Sequence, residues 1–172
     1  MKYLCSIVLL ALLTACTTIN TAKQIVEVNR YDAWGIAPFT NNTEVLQAGN
    51  RAMIMSSGVL RAKGVQAILA YQPAGNCAQL VVCANSGTSV ADLIHWARNN
   101  NLHYLMTGSV NEWEYKVGLD GEPVASLTLQ LYDVTNGEVI WSAVGSKIGT
   151  SRAGLGNTAQ RLINNMLSGL RT

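Results

Sequence analysis

Two histidines, one phenylalanine and three prolines are all that 172 residues contain of those types, and Asp, Glu, Lys and Arg together make up only 13%. His95 and His103 have no cysteine or second histidine at ligand spacing, so the sequence offers no metal centre and no histidine-based acid–base group. There is no Gly-x-Ser-x-Gly elbow and no P-loop, which leaves nucleophilic acyl transfer and nucleotide hydrolysis without a motif. The net charge is only +2, with no basic run and no basic patch interleaved with aromatics, so nucleic acid is not an expected partner. No apolar stretch reaches the roughly 20 residues that a membrane-spanning helix needs. Acids are also missing from one end of the chain. Residues 139–172 carry Lys147, Arg152, Arg161 and Arg171 and no carboxylate, whereas residues 112–138 carry six acids against Lys116 alone. Two solvated faces of different sign account for that imbalance.

Against these absences stands Cys16. Lys2 is a small positive n-region, residues 3–13 are a short apolar h-region, and Leu13-Thr14-Ala15-Cys16 closes it. That order is a lipoprotein signal: small residues fit the signal-peptidase cleft, and the thiolate takes a diacylglyceryl group before cleavage. We expect residues 1–15 to be removed, residues 16–30 to form an acylated N-terminus and tether, and residues 31–172 to fold as one periplasmic domain. Two or three acyl chains at about 0.8 kcal/mol per buried methylene anchor such a chain firmly. Thr17 stands where an aspartate would signal inner-membrane retention, so the expected location is the outer membrane. Cys77 and Cys83 remain as a pair. Extended chain would hold them about 20 Å apart, so they bridge only if the segment folds back, as Pro73, Gly75 and Asn76 allow. In an oxidising periplasm a disulfide is expected over two buried thiols.

Residues 31–39 read as a strand with Trp34 and Ile36 on one face. Residues 47–63 repeat Ala48, Ala52, Met55, Val59 and Leu60 at helical spacing before Gly64. A short buried-type strand is expected over 65–71. A cysteine-bearing loop follows, and then a helix opened by the capping pair Ser89 and Asp92. Strands over 102–116, 124–134 and 138–147 form a meander, and a helix over 157–171 ends the chain. The expected fold is α/β: a β-α-β-α-β-β-β-α sandwich with helices packed on a mixed sheet and a C-terminal three-strand antiparallel meander. Glu112 and Glu114 are two apart and share a strand face. Such pairs serve glycoside chemistry in enzymes, but alternating acids on a strand more commonly face solvent, and no enzyme is expected here. Gly154-Leu155-Gly156-Asn157-Thr158-Ala159 matches a loose dinucleotide fingerprint, but no strand or ribose-binding acid follows, so it reads as a helix-start loop. No cofactor and no metal are expected.

Three runs carry a family resemblance: Ile36-Ala37-Pro38-Phe39-Thr40-Asn41-Asn42-Thr43, Tyr104-Leu105-Met106-Thr107-Gly108-Ser109-Val110-Asn111-Glu112-Trp113, and Leu119-Asp120-Gly121-Glu122-Pro123. Together they resemble the PelC family, outer-membrane lipoproteins of the Pel exopolysaccharide export system. The first run and Gly137-Glu138-Val139-Ile140-Trp141-Ser142 also resemble curli-secretion pore subunits and activators of penicillin-binding proteins. The PelC resemblance implies a homo-oligomeric ring beneath an outer-membrane β-barrel exporter with a helical-repeat scaffold, guiding a cationic polysaccharide. It implies that Asp120, with Glu122 beside it, is the periplasm-facing acid that attracts the polymer, with Glu112 and Glu114 as further acids. It also implies a membrane-proximal tryptophan near the last strand. Residues 149–152 contain none, so Trp141 and Arg152 are the candidates, core packing being the other reading of Trp141.

Two other functions compete. A peptidoglycan-synthase activator needs a long tether, and residues 17–30 would reach only about 50 Å at about 3.5 Å per residue. A curli-type secretion pore needs lipid-facing strands, and the 102–147 meander carries too many acids for a lipid-facing band.

Overall fold

Leucines at alternate positions lie completely buried at Leu127, Leu129 and Leu131, and they anchor a sheet around which everything else packs. The computed structural model describes residues 17–21, 26–72, 88–118 and 121–171. Among these, the elements in chain order are strands β1 (Thr17–Thr21), β2 (Val26–Glu27), β3 (Ala33–Ile36) and β4 (Thr40–Asn41), and helix α1 (Ala48–Ala62). Strand β5 (Ala67–Ala70), helix α2 (Val90–Asn99) and strands β6 (Tyr104–Tyr115), β7 (Pro123–Asp133) and β8 (Val139–Ile148) follow. Helix α3 (Leu155–Leu167) and strand β9 (Leu170–Arg171) complete the series.

The main sheet runs β1-β8-β7-β6-β3-β5, with β4 also paired to β6. β6, β7 and β8 are antiparallel neighbours, whereas β3 lies parallel to both β5 and β6. This is the mixed sheet with a three-strand meander expected from the residue pattern. Helices α1 and α3 pack together on one face. There Trp34, Ile36, Met106, Val110, Trp113 and the β7 leucines meet Leu60, Leu162, Ile163 and Met166. A fully buried leucine of this kind contributes about 2 kcal/mol. Helix α2 covers part of the opposite face, where Leu93, Ile94 and Ala97 meet Leu105, Tyr132 and Val134. Its start is the expected capping box: Ser89 Oγ accepts the Asp92 N–H and Asp92 Oδ2 accepts the Ser89 N–H, both at 3.2 Å. Helix α1 ends where expected, with Gly64 at φ +100° just after it.

Two expectations need correction. The expected tether over 16–30 contains two strands among its described residues. β1 pairs antiparallel with β8 from Thr17↔Lys147 to Thr21↔Ala143, and β2 pairs parallel with β9. The open edge of β8 supplies the backbone partners that make polar residues a strand. Likewise β5 is not buried: it is the other sheet edge, and Leu69 is 42% exposed.

Candidate functional site

The site is built at a break in β6. The register with β7 shifts between Val110 and Glu112, leaving Asn111 as the extra residue of a bulge. The polar run after Phe39 pins that bulge. Pro38 lacks an N–H and interrupts β3, but Thr40 and Asn41 resume pairing as β4 beside Ser109 and Val110. Asn42 then donates its backbone N–H to Val110 O at 2.9 Å and its side-chain amide to Asn111 Oδ1 at 2.9 Å. Asn41 holds the turn that follows, accepting from Thr43 N–H at 3.1 Å and donating to Val45 O at 2.8 Å. The first two of the three resemblance runs therefore meet in space.

Beyond the bulge, Trp113 is buried in the core shared with α3. Alternation then turns Glu112 and Glu114 to the other face, where both are exposed. On that face the cross-strand row through Glu112 continues as Ser126 on β7 and Ser146 on β8. Glu122 is exposed at the foot of the hairpin, its carbonyl accepting the Lys116 N–H at 2.8 Å. Asp120 lies outside the described residues. Lys147 pairs with Ala125 and shares the parity of Gly145, whose position packs against Leu162 and Met166, so Lys147 is on the α3 side. The sheet thus separates Glu112 and Glu114 from Lys147, although all three stand near one end of the meander.

On the α3 side Lys147, Arg152 and Arg161 line a cavity of about 270 Å³ with Gly149, Asn157 and Thr158. Helix α3 has no side-chain cap at Gly154. Instead the Tyr115 hydroxyl accepts the Leu155 N–H at 3.0 Å, tying the end of β6 to the first turn of the helix. Sequence reasoning missed Asn42, Asn111 and Tyr115. The acid-free C-terminal stretch and the glycine-rich start of α3 were the available signals for the cavity.

Other expected residues fall elsewhere. Trp141 is 2% exposed and packs within the main core, so its ring presents no surface to a membrane; burial of a large aromatic overrides the membrane-proximal expectation. Arg152 is exposed at the cavity. Cys16, Cys77 and Cys83, and with them the expected disulfide, lie outside the described residues. His95 Nε2 lies 3.3 Å from Asn99 Nδ2 on exposed surface. Among the described residues no group of three or more His, Cys, Asp or Glu could hold a metal, and no helix is long and apolar enough to cross a membrane.

No family model and no curated protein sequence matches the chain. Solved structures do. Lipoprotein GNA1162 from Neisseria meningitidis is 13% identical, covering 79% of this chain and 99% of that one at a TM-score of 0.50, and shares the fold alone. The arrangement is thus an α/β sandwich also found in a bacterial lipoprotein. A PelC dodecamer from Paraburkholderia phytofirmans is 34% identical, covering 91% of this chain and 99% of that one at a TM-score of 0.76. A second PelC dodecamer from that organism, a single-substitution variant, is 35% identical over 90% and 99% at a TM-score of 0.74. The chain belongs to the PelC family.

Proposed function

We propose that the chain is a non-catalytic, lipid-anchored subunit of an oligomeric ring at the periplasmic face of the outer membrane, guiding a cationic exopolysaccharide to a β-barrel exporter with a helical-repeat scaffold. The observation that carries this reading is the 34% identity to a PelC dodecamer across 99% of that chain. Cys16 supplies the anchor. Thr17 already belongs to β1, opposite Lys147, so an acyl group on Cys16 holds the domain directly at its membrane. A short attachment of this kind disfavours a synthase activator that must reach across the periplasm. Glu112, Glu114 and Glu122, with Asp120, provide the charge that attracts a polycation. Exposed carboxylates are screened beyond about 8 Å at physiological salt, so each contact is weak and the polymer can move. The Ser126 and Ser146 hydroxyls beside Glu112 add hydrogen-bond partners suited to a sugar.

Light scattering on the detergent-solubilised full chain tests the ring: an assembly of many subunits is expected, and a strict monomer at high concentration overturns it. Asp120→Lys with Glu122→Lys, and separately Glu112→Lys with Glu114→Lys, should reduce polymer export while anchoring and assembly persist. Unchanged export in both would remove the electrostatic role of the acids.

A further inference from the structure

On the side of α1 turned away from the sheet, Arg51, Ile54, Gly58 and Arg61 follow one another at helical spacing, and all four are exposed. Ile54 leaves 59% of its surface in solvent. Beside this row a groove of about 350 Å³ runs between α1 and α3, lined by Met55, Gly58, Val59 and Ala62 from one helix and Gln160 and Asn164 from the other. A glycine inside a helix costs about 1 kcal/mol relative to alanine. No described residue gives a reason for that cost at position 58, since a Cβ there would meet nothing within 4 Å. Gly49 in the first turn of the same helix differs, because its Cβ would fall on Phe39 O. An open glycine on an exposed helix row lets a second backbone come close.

Charge indicates what covers this face. Helices α1 and α3 carry Arg51, Arg61 and Arg161 and no acid. Arg61 also donates to Gln66 O and Ile68 O, which fixes its guanidinium at the end of α1. Two copies meeting symmetrically through this face would bring the same arginines together, and like charges across an interface repel. The face therefore fits a different and acidic surface. The far side of the sheet has one. Val90 and Asp92 stand in the first turn of α2, Glu138 and Val139 stand at the start of β8, and all four are exposed. The turn before β8 lies against α2, since a Cβ at Gly137 would come within 4 Å of Ile94 and Arg98. Arg98 itself is bonded to Val134 O and Thr135 O.

We propose that the α1–α3 face of one copy seats on the α2 side of the next, a head-to-tail contact between two different surfaces of the same chain. It rests on the ring proposed above and specifies the interface of that ring. The two surfaces lie on opposite sides of the sheet. Each subunit thus offers one surface to each neighbour, and repetition with a constant rotation closes a ring where a symmetric contact would stop at a pair. Glu112 stands about 23 Å along β6 from Leu105, where α2 packs, at about 3.3 Å per residue. The contact therefore leaves the acids of that end to the polymer.

Light scattering on the detergent-solubilised full chain tests the contact. Gly58→Leu fills open space and Glu138→Lys reverses an exposed charge, so both subunits should fold, which circular dichroism checks. Each is expected to raise the concentration at which the assembly dissociates about tenfold or more. Gly118→Leu, at an equally open glycine after β6, should leave it unchanged. Mixed together, the first two variants should form pairs, because the Gly58→Leu chain keeps its α2 side and the Glu138→Lys chain keeps its α1–α3 face. If Gly58→Leu misfolds, Glu138→Lys decides alone. A native ring that either folded variant leaves intact, or that Gly118→Leu breaks equally, overturns the proposal and retains the ring. So does a mixture of the two folded variants that forms no pairs. A native chain that stays monomeric fails the ring and the contact together.

Discussion

Asn42 donates its side-chain amide to Oδ1 of Asn111 at 2.9 Å across 69 residues of sequence. Its backbone N–H reaches Val110 O as well, so one residue holds both sides of the β6 bulge. The bulge decides which face Glu112 and Glu114 occupy, because a one-residue slip sends every later side chain to the opposite face. Asn42→Ala should therefore act locally. The bond is exposed, so we expect a loss of about 0.5–1 kcal/mol. Amide hydrogen exchange should quicken around residues 109–112 while β7 stays protected. Unchanged exchange there would show that β4 pairing alone holds the bulge.

Tyr115 plays a comparable part at the other end of β6. Its hydroxyl accepts the N–H of Leu155, the first residue of a helix that lacks a side-chain cap. Tyr115→Phe keeps the ring and removes only the acceptor. We expect a loss of about 1 kcal/mol, read as a fall of about 2–4 °C in Tm for a chain of this size. An unaltered Tm would mean that water satisfies the Leu155 N–H equally well.

The helices and the meander were legible because their periods are strong. Ala48, Ala52, Val59 and Leu60 mark a helical stripe, Leu127, Leu129 and Leu131 mark alternation, and Ser89 with Asp92 marks a helix start. The edge strands were not legible. Thr17–Thr21 carries no apolar period, and its partner β8 begins more than 100 residues later, so only the assembled sheet makes it a strand. The shared face of Glu112 and Glu114 followed from their spacing. Their separation from Lys147 did not, since it depends on the bulge and on which side of the sheet α3 packs. Arg152, Thr158 and Arg161 looked unrelated because a helix start and a loop bring them together only in three dimensions.

The capping box of α2 makes a pH prediction. The Ser89 side chain, and after it the Ser89 backbone N–H, hydrogen-bond to the Asp92 carboxylate and hold its pKa below the ordinary value. A carboxyl whose folded pKa is depressed contributes stability above its unfolded pKa and loses it as pH falls through the folded value. The contribution is therefore complete at neutral pH and disappears only in acid. NMR titration should place the Asp92 carboxyl below the usual range in the native chain, and Ser89→Ala should move it back up. Identical titration in both would deny Ser89 that role.

Gly108 sits in the middle of β6 opposite Leu129. A Cβ there would fall on the carbonyl oxygen of Thr128, a backbone atom that cannot swing aside as a side-chain end can. Gly108→Ala must therefore part β6 from β7 at the centre of the meander, next to the completely buried Leu129. Overpacking of this kind costs about 1–3 kcal/mol. The sheet is continuous from β1 to β3, so the strain should spread to the bulge at Asn111, three residues on. Denaturant unfolding should show a lower midpoint with an unchanged m-value, since the surface exposed on unfolding stays the same. Gly118→Ala is the control, because a Cβ at that position meets open space, and its midpoint should match the native chain. Equal midpoints for Gly108→Ala and Gly118→Ala would mean that the two strands pass farther apart at Thr128 than the structure has them.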